Sequence, residues 1–254
     1  MSLQRAYRQI LGIRFYSGDV HGVLDRMRHG GLLVVPAAPA LKDLAVNASY
    51  REALVNADVA ITDSAFMVMV WNLLERDSLE RLSGLTYLRA LLELPEVREP
   101  GETFWIMAGA ASEEKNLAWL KENGIVVPRD YVYQAPMYSA QIRDEELLGR
   151  LVKQRPKHIV VTLGGGTQER LGLYLKRSLD YTPAIHCTGA AIAFLSGDQV
   201  RIPAWADRLY LGWLFRCFSA PVRYVPRYWQ ARKLLPLMVR HRSELPVSSA
   251  QKVA

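Results

Sequence analysis

The sequence predicts an α/β fold: a mainly parallel, Rossmann-like sheet flanked by helices over residues 1–200, then a short helical, basic appendage over residues 201–254. Three observations predict it. Short β-branched runs alternate with stretches whose apolar residues recur at three- and four-residue spacing, the rhythm of a parallel sheet with crossover helices. That rhythm stops after His186. And ten of the 32 Lys and Arg residues, but only two of the 25 Asp and Glu, lie from Arg201 onward.

In chain order, strands are expected at Leu32 to Val35, Val59 to Thr62, Thr103 to Met107, Ile159 to Leu163 and Ala184 to His186. Each is short and rich in Val, Ile or aromatic residues, as buried strands are. Leu85 to Leu94, Ser112 to Asn123 and Asp144 to Gln154 read as amphipathic helices. Gly124 and Pro156 stand where such helices should stop. From Trp205 onward, Pro221, Pro226 and Pro236 divide the helical patterns into short pieces, because proline lacks the amide donor and clashes inside a helix. Pro246 to Ala254 reads as a frayed polar tail.

Half of the 254 residues are apolar, which excludes wholesale disorder. Cys187 and Cys217 stand apart with no metal-type pairing, so a reducing, cytoplasmic location is expected. Arg5, Arg8, Arg14 and Asp19 interrupt the opening segment and argue against a secretory signal. The longest apolar run, Ala65 to Leu74, is far shorter than the roughly 20 residues of a membrane span, so membrane contact is expected to be peripheral. Among the basic residues stand Trp205, Trp213, Phe215, Phe218, Tyr224, Tyr228 and Trp229, a composition suited to an anionic bilayer surface. No nucleic-acid module is recognised, and no nucleic-acid partner is expected.

Ligands of open parallel sheets bind beyond the C-terminal ends of strands, which selects three places. In Ile61-Thr62-Asp63-Ser64, Asp63 is a general-base candidate or a helix cap, and the two roles are compatible. Gly164, Gly165 and Gly166 precede Gln168 and Glu169, a turn whose amides could approach a phosphate; Thr188 and Gly189 repeat the pattern after the next strand. The turn matches neither the dinucleotide fingerprint nor the P-loop. Arg216, Arg223 and Arg227 stand seven and four apart and would share one helical face if the prolines bend rather than end the helix. The five histidines form no metal-type cluster, so neither metal nor other cofactor is expected. Cys187 reads as buried packing.

In their order these pieces resemble the WecG/TagA/CpsF glycosyltransferases, glycosyltransferase family 26, from about Leu32 to Tyr228. Gly197-Asp-Gln-Val-Arg201-Ile-Pro203-Ala-Trp205, Leu211-Gly-Trp213-Leu-Phe-Arg216 and Pro221-Val-Arg223 are similar to the family's Gly-x-x-x-Arg-x-Pro-x-Trp, Leu-Glu-Trp-x-x-Arg and Pro-x-Arg. Thr62-Asp63-Ser64 is similar to its Pro-Asp-Gly, Glu80-Arg81-Leu-Ser-Gly84 to its Glu-Arg-x-x-Gly, and Gly164-Gly-Gly-Thr-Gln168-Glu169 to its Gly-x-Pro-x-Gln-Glu.

The resemblance implies a metal-independent, inverting transfer of a hexose or N-acetylhexosamine from a UDP-sugar to a polyprenyl-diphosphate-linked saccharide. It places the enzyme peripherally on the cytoplasmic membrane face, in teichoic acid, enterobacterial common antigen or exopolysaccharide assembly, with association into homo-oligomers. On that pattern Asp63 takes the acceptor's proton, Arg81 and the turn with Gln168 and Glu169 bind donor, and Arg216, Arg223 and Arg227 meet diphosphates. The chain departs at Val35-Pro36-Ala37, where the family has Thr-x-Asn, and at Thr86, Gly212 and Ile192-Ala193-Phe194, where it has acidic residues. Losing those polar groups leaves N-acetylmannosamine, glucose and a uronic acid all open as the transferred sugar. An inactive, membrane-associated scaffold of the same fold is the alternative.

Overall fold

A computed structural model of the protein describes residues 6–199 and 212–246. Arg201, Pro203, Trp205 and Leu211 of the C-terminal motifs, and the tail beyond 246, lie outside the described residues. Among the described residues, eight strands form one sheet in the order β1-β2-β4-β3-β8-β7-β5-β6. They are β1 (Tyr7–Ile10), β2 (Ile13–Tyr16), β3 (Gly31–Val34), β4 (Val59–Ala60), β5 (Thr103–Met107), β6 (Val132–Gln134), β7 (His158–Val161) and β8 (Ala184–Cys187). Among the described residues, only β1 and β2 pair antiparallel, and every other pair is parallel.

The central strands are buried on both faces, which is why they read as unbroken apolar runs. Alternate residues feed two cores: Leu32, Val34, Phe104, Ile106, Ile159 and Val161 enter one, and Leu33, Val35, Trp105, Met107 and Val160 the other. Against the first face pack α2 (Ala38–Leu41), α3 (Ala48–Val55), α4 (Ala65–Glu75), α8 (Glu145–Gln154) and α9 (Thr167–Ser178). Against the second pack α1 (Val20–Met27), α5 (Gly84–Leu92), α6 (Pro95–Arg98), α7 (Ala110–Glu122) and α10 (Ala191–Leu195). Helix α9 approaches the sheet so closely that a Cβ on Gly172 would lie 2.5 Å from Leu32 Cδ1 and 2.8 Å from Cys187 Sγ.

The five expected strands are present within one to two residues of their expected ends, as are the three expected helices. The β1–β2 hairpin was not expected. Its turn, Leu11-Gly12, has φ of 51° and 77°, the left-handed pair that matches strand twist in a two-residue hairpin. A leucine there is unusual, and the C-terminal segment holds it: Leu11 N–H donates to Arg242 O (2.7 Å) and Gly12 N–H to Ser243 O (2.9 Å).

The C-terminal segment forms α11 (Gly212–Ser219), α12 (Pro221–Ala231) and α13 (Leu234–His241). Pro221 opens α12 at its first turn, where no amide is needed. Pro226 does not divide the helix as expected; α12 runs through it. The carbonyl it leaves without a donor is that of Val222, a residue 90% exposed, so water can serve it. The break before Pro221 puts Arg216 on α11 and Arg223 and Arg227 on α12, so the three do not share one helical face. Leu234 and Met238 of α13 are buried in the first core, with α13 packed on α4. Pro246 is buried too, its carbonyl accepting from Arg51 (3.2 Å), so the chain is docked at least this far.

Candidate active site

Because β4, β3, β8 and β7 are parallel neighbours, their C-terminal ends meet along one edge, and the loops leaving them carry most of the sequence-predicted site. Beyond β4, Ser64 rather than Asp63 caps α4, accepting from Met67 N–H at 3.2 Å. Asp63 is thereby left to other work. Its Oδ1 accepts from the Gly84 N–H (2.9 Å), at the first turn of α5, where the helix dipole favours negative charge. Arg81 Nε donates to the Asp63 carbonyl (2.7 Å), and Arg81 Nη2 lies 3.7 Å from Oδ1.

A neighbouring hydroxyl fixes this arrangement. Thr62 Oγ1 donates to Glu80 O (2.8 Å) and accepts from Leu82 N–H (2.9 Å), clamping the segment on both sides of Arg81 to the end of β4. Ser83 then caps α5 through Thr86 N–H (3.1 Å). Asp63 and Arg81 are therefore held by four local hydrogen bonds, with side chains 26% and 15% exposed.

Beyond β7, Gly166 adopts φ 91°, with open space where a side chain would stand. Glu169 is fully buried beneath this turn and accepts from the Gly166 N–H (2.6 Å) and from Gln168 Nε2 (3.2 Å). Burial outweighs these hydrogen bonds and nearby Arg170, pushing the Glu169 carboxyl up to about 7. Beyond β8, Thr188 Oγ1 is buried without a partner, and so is Gln168 Oε1. Gly189, next in the chain, has φ of 60°, and its Cβ, if present, would lie 3.5 Å from the Gln168 amide atoms. Two orphaned buried polar atoms beyond neighbouring strand ends are groups that a polar ligand could satisfy.

The departures from the family pattern line the same edge with apolar groups. Val35 Cγ1 would lie 2.9 Å from a Cβ on Gly84, so Val35 packs against the start of α5, beside Thr188 O. Ala37 opens α2 without a side-chain cap. The Thr86 and Ser83 hydroxyls are 2.9 Å apart and engaged with each other.

Helices α11 and α12 pack on each other, and α12 packs on α2. The Arg216 guanidinium lies 4.4 Å over the Phe194 ring, and its Nη1 donates to Tyr228 Oη (3.1 Å), while its buried Nε has no partner. Burial, more than any neighbouring charge, raises the Tyr228 hydroxyl above its ordinary value; Arg216 and Arg227 pull it down and Asp63 adds to the rise. Tyr228, which the sequence did not single out, thus ties Arg216 of α11 to α12. Arg227, the next residue on α12, instead lines a cleft of about 590 Å³ with Gly164, Gly165, Gly166 and Arg170. Asp63 and Arg81 do not line that cleft. Of Arg223, the helical position alone is described.

Cys187 is fully buried, its Sγ donating to Gln168 O (3.2 Å), a packing position. Among the described residues, no three His, Cys, Asp or Glu side chains converge as a metal would require, and no helix is long and apolar enough to cross a membrane.

A family profile described as "Glycosyl transferase WecG/TagA/CpsF family" matches residues 8–247. The N-acetylglucosaminyldiphosphoundecaprenol N-acetyl-beta-D-mannosaminyltransferase of Bacillus spizizenii is 25% identical to the chain over 207 residues, 78% of this chain and 77% of the relative.

Proposed function

The chain belongs to the WecG/TagA/CpsF glycosyltransferase family, and from that premise we propose that it transfers a sugar from a UDP-sugar to a polyprenyl-diphosphate-linked saccharide with inversion. The observation that carries the reading is Asp63, fixed at the end of β4 by the Gly84 amide and by Arg81.

Asp63 Oδ2 takes the proton from the acceptor hydroxyl as that oxygen attacks the anomeric carbon. A new C–O bond forms on the face opposite the departing UDP, and the electron pair of the breaking bond goes to the diphosphate oxygen. Proton removal of this kind contributes on the order of 10²–10⁴-fold. Arg216, with Tyr228 holding one arm of its guanidinium, supplies positive charge to the leaving diphosphate without a metal. Arg81 orients Asp63 through its backbone carbonyl. Gln168 and Thr188 offer their unpartnered atoms to the donor, and Glu169 holds the glycine turn from beneath. With Val35 and Ala37 at the edge, the sugar pocket suits a hexose with fewer polar contacts there than N-acetylmannosamine would find with Thr and Asn.

The relative named above acts on an undecaprenol-linked substrate, which supports a lipid-linked acceptor. Trp213, Phe218, Val222, Val225 and Trp229 are all exposed on α11 and α12, among basic residues, a surface suited to the cytoplasmic face of an anionic membrane.

The test is UDP release across a panel of UDP-sugars with a short-chain polyprenyl-diphosphate-saccharide acceptor, run beside Asp63→Asn. Asn keeps an acceptor for the Gly84 amide but cannot take the proton. Acceptor-dependent release that falls at least 100-fold in D63N supports the reading and names the donor. Release unaffected by D63N removes Asp63 as base, and no release from any donor favours the scaffold alternative.

A further inference from the structure

Asp63 and the orphaned Thr188 hydroxyl follow different strands, and the start of α5 touches both segments. Gly84 N–H donates to Asp63 Oδ1 (2.9 Å), and a Cβ on Gly84 would lie 3.6 Å from Thr188 O. The position of that first turn therefore sets how the candidate base stands relative to the groups offered to the donor. Apolar packing of α5 on α1 and α10 is non-directional and fixes the helix only coarsely. One turn beyond Gly84, Tyr87 is fully buried, and its hydroxyl lies 2.8 Å from His186 Nδ1, on the strand that leads into Thr188. Among the described residues, no other side chain of α5 hydrogen-bonds to a strand.

The surrounding network gives this bond a direction. His186 Nε2 lies 3.1 Å from His158 Nδ1 on β7. Burial holds both imidazoles below their ordinary value, with His158 adding to the effect at His186, so near neutral pH each carries a single ring proton. Tyr87 Oη has no other partner among the described residues, and burial raises it well above its ordinary value, so its proton stays on and goes to His186 Nδ1. That leaves the His186 proton on Nε2, donating to His158 Nδ1. In the reverse order the Tyr87 proton would be buried without an acceptor, which is the costly arrangement.

We propose that Tyr87 is a positioning residue for the transfer: its hydroxyl, donated to a His186 tautomer that His158 fixes, registers the first turn of α5 against β8 and so holds Asp63 in place relative to Thr188. The catalytic half of this rests on the transferase reading. The mechanical half, that the Tyr87–His186 bond keeps the Gly84 amide on Asp63, does not.

Two substitutions at His186 separate the arms of the chain, because the amide of Asn reaches about as far as Nδ1 and that of Gln about as far as Nε2. H186N keeps an acceptor for Tyr87 and abandons His158; H186Q does the reverse. Each leaves one buried partner unmatched, so a general loss of stability falls on both alike. Exchange of the Gly84 amide is read by NMR on the full chain, and kcat and KM by acceptor-dependent UDP release. In Y87F and H186Q we expect Gly84 to exchange about ten-fold faster, with H186N within about two-fold of wild type. We expect kcat in Y87F to fall about ten-fold with KM for the UDP-sugar nearly unchanged, and kcat in H186Q to lie about ten-fold below that of H186N. Wild-type Gly84 exchange in Y87F, or equal exchange in H186N and H186Q, overturns the proposal; faster exchange with unchanged kcat overturns its catalytic half. Y87F is nearly isosteric and decides alone should the His186 variants fail to fold. A wild-type protein that releases no UDP from any donor would sink the transferase reading, and Gly84 exchange would still decide whether Tyr87 holds the turn.

Discussion

Replacing Glu169 by Gln should reverse the way stability responds to pH between 5.5 and 8. Glu169 is fully buried and carries a carboxyl at about 7, against an ordinary value near 4.5. The folded protein therefore holds a proton that the unfolded chain releases in this window, and stability falls as pH rises through it. A separation of about 2.5 pH units corresponds to about 3 kcal/mol over the whole range, of which about 2 kcal/mol is lost between pH 5.5 and 8. Gln removes the titration but not the hydrogen bonding. Its carbonyl can accept from the Gly166 amide, and its NH₂ can donate to Gln168 Oε1, the atom now without a partner, once the Gln168 amide turns over.

Urea unfolding of both proteins at pH 5.5 and 8 measures the effect. Every other titrating group is common to the two chains, so the difference between them isolates Glu169. We expect E169Q to gain about 2 kcal/mol on the wild type from pH 5.5 to pH 8, which shifts the urea midpoint upward at the higher pH. A wild-type-to-variant difference that stays constant across the two pH values would refute the assignment of a shared proton to the folded turn.

In the E169Q background, stability should fall as pH drops from 7 toward 5. Burial lowers His158 and His186 below their ordinary value, so the unfolded chain takes up protons first; a flat thermal-melt profile would count against this. Gly172→Ala should cost about 1–3 kcal/mol in urea unfolding, because the new Cβ meets Leu32 Cδ1 at 2.5 Å. Leu234→Ala, at a fully buried position, should cost about 2–5 kcal/mol and loosen the appendage, seen as faster amide exchange at Leu11 and Gly12. Tyr228→Phe should leave the melting temperature nearly unchanged and lower kcat for UDP release about ten-fold, since Arg216 Nη1 loses its acceptor; an unchanged kcat would remove Tyr228 from the site.

The sheet was legible because its central strands are buried on both faces, so each appears as a compact apolar run with no polar alternation to blur it. The hairpin was not: Tyr7 to Tyr16 mixes Arg8, Gln9 and Arg14 with apolar residues, and its turn begins on Leu11, whose left-handed backbone is imposed by Arg242 and Ser243 from the far end of the chain. The same division runs through the site. An acid directly after a strand marks Asp63 from sequence alone. The Gly84 amide and the Thr62 clamp that fix it come from a segment about twenty residues on, and no local pattern predicts that contact. Tyr87 reads as an ordinary buried aromatic on a helix, and only the partner of its hydroxyl sets it apart. Tyr228 was visible as one of several aromatics, but its tie to Arg216 depends on a helix boundary at Pro221.

That boundary also decides how the C-terminus must be tested. On a helix, neighbouring residues point about 100° apart, so Arg227 lines the cleft beside the glycine turn while Tyr228 meets Arg216 of α11. Deleting the chain from Arg201 would remove both, but it would also strip Leu234 and Met238 from the core and the carbonyls of Arg242 and Ser243 from the Leu11-Gly12 turn. The loss of several kcal/mol from two vacated core positions and two unmatched amides is comparable to the stability of a whole domain. An inactive truncation would therefore say nothing about the reaction. Single exposed or isosteric changes, R227Q and Y228F, test the two side chains separately while leaving α13 docked; if both left transfer intact, the C-terminal helices would be a structural strap and Asp63 would work without them.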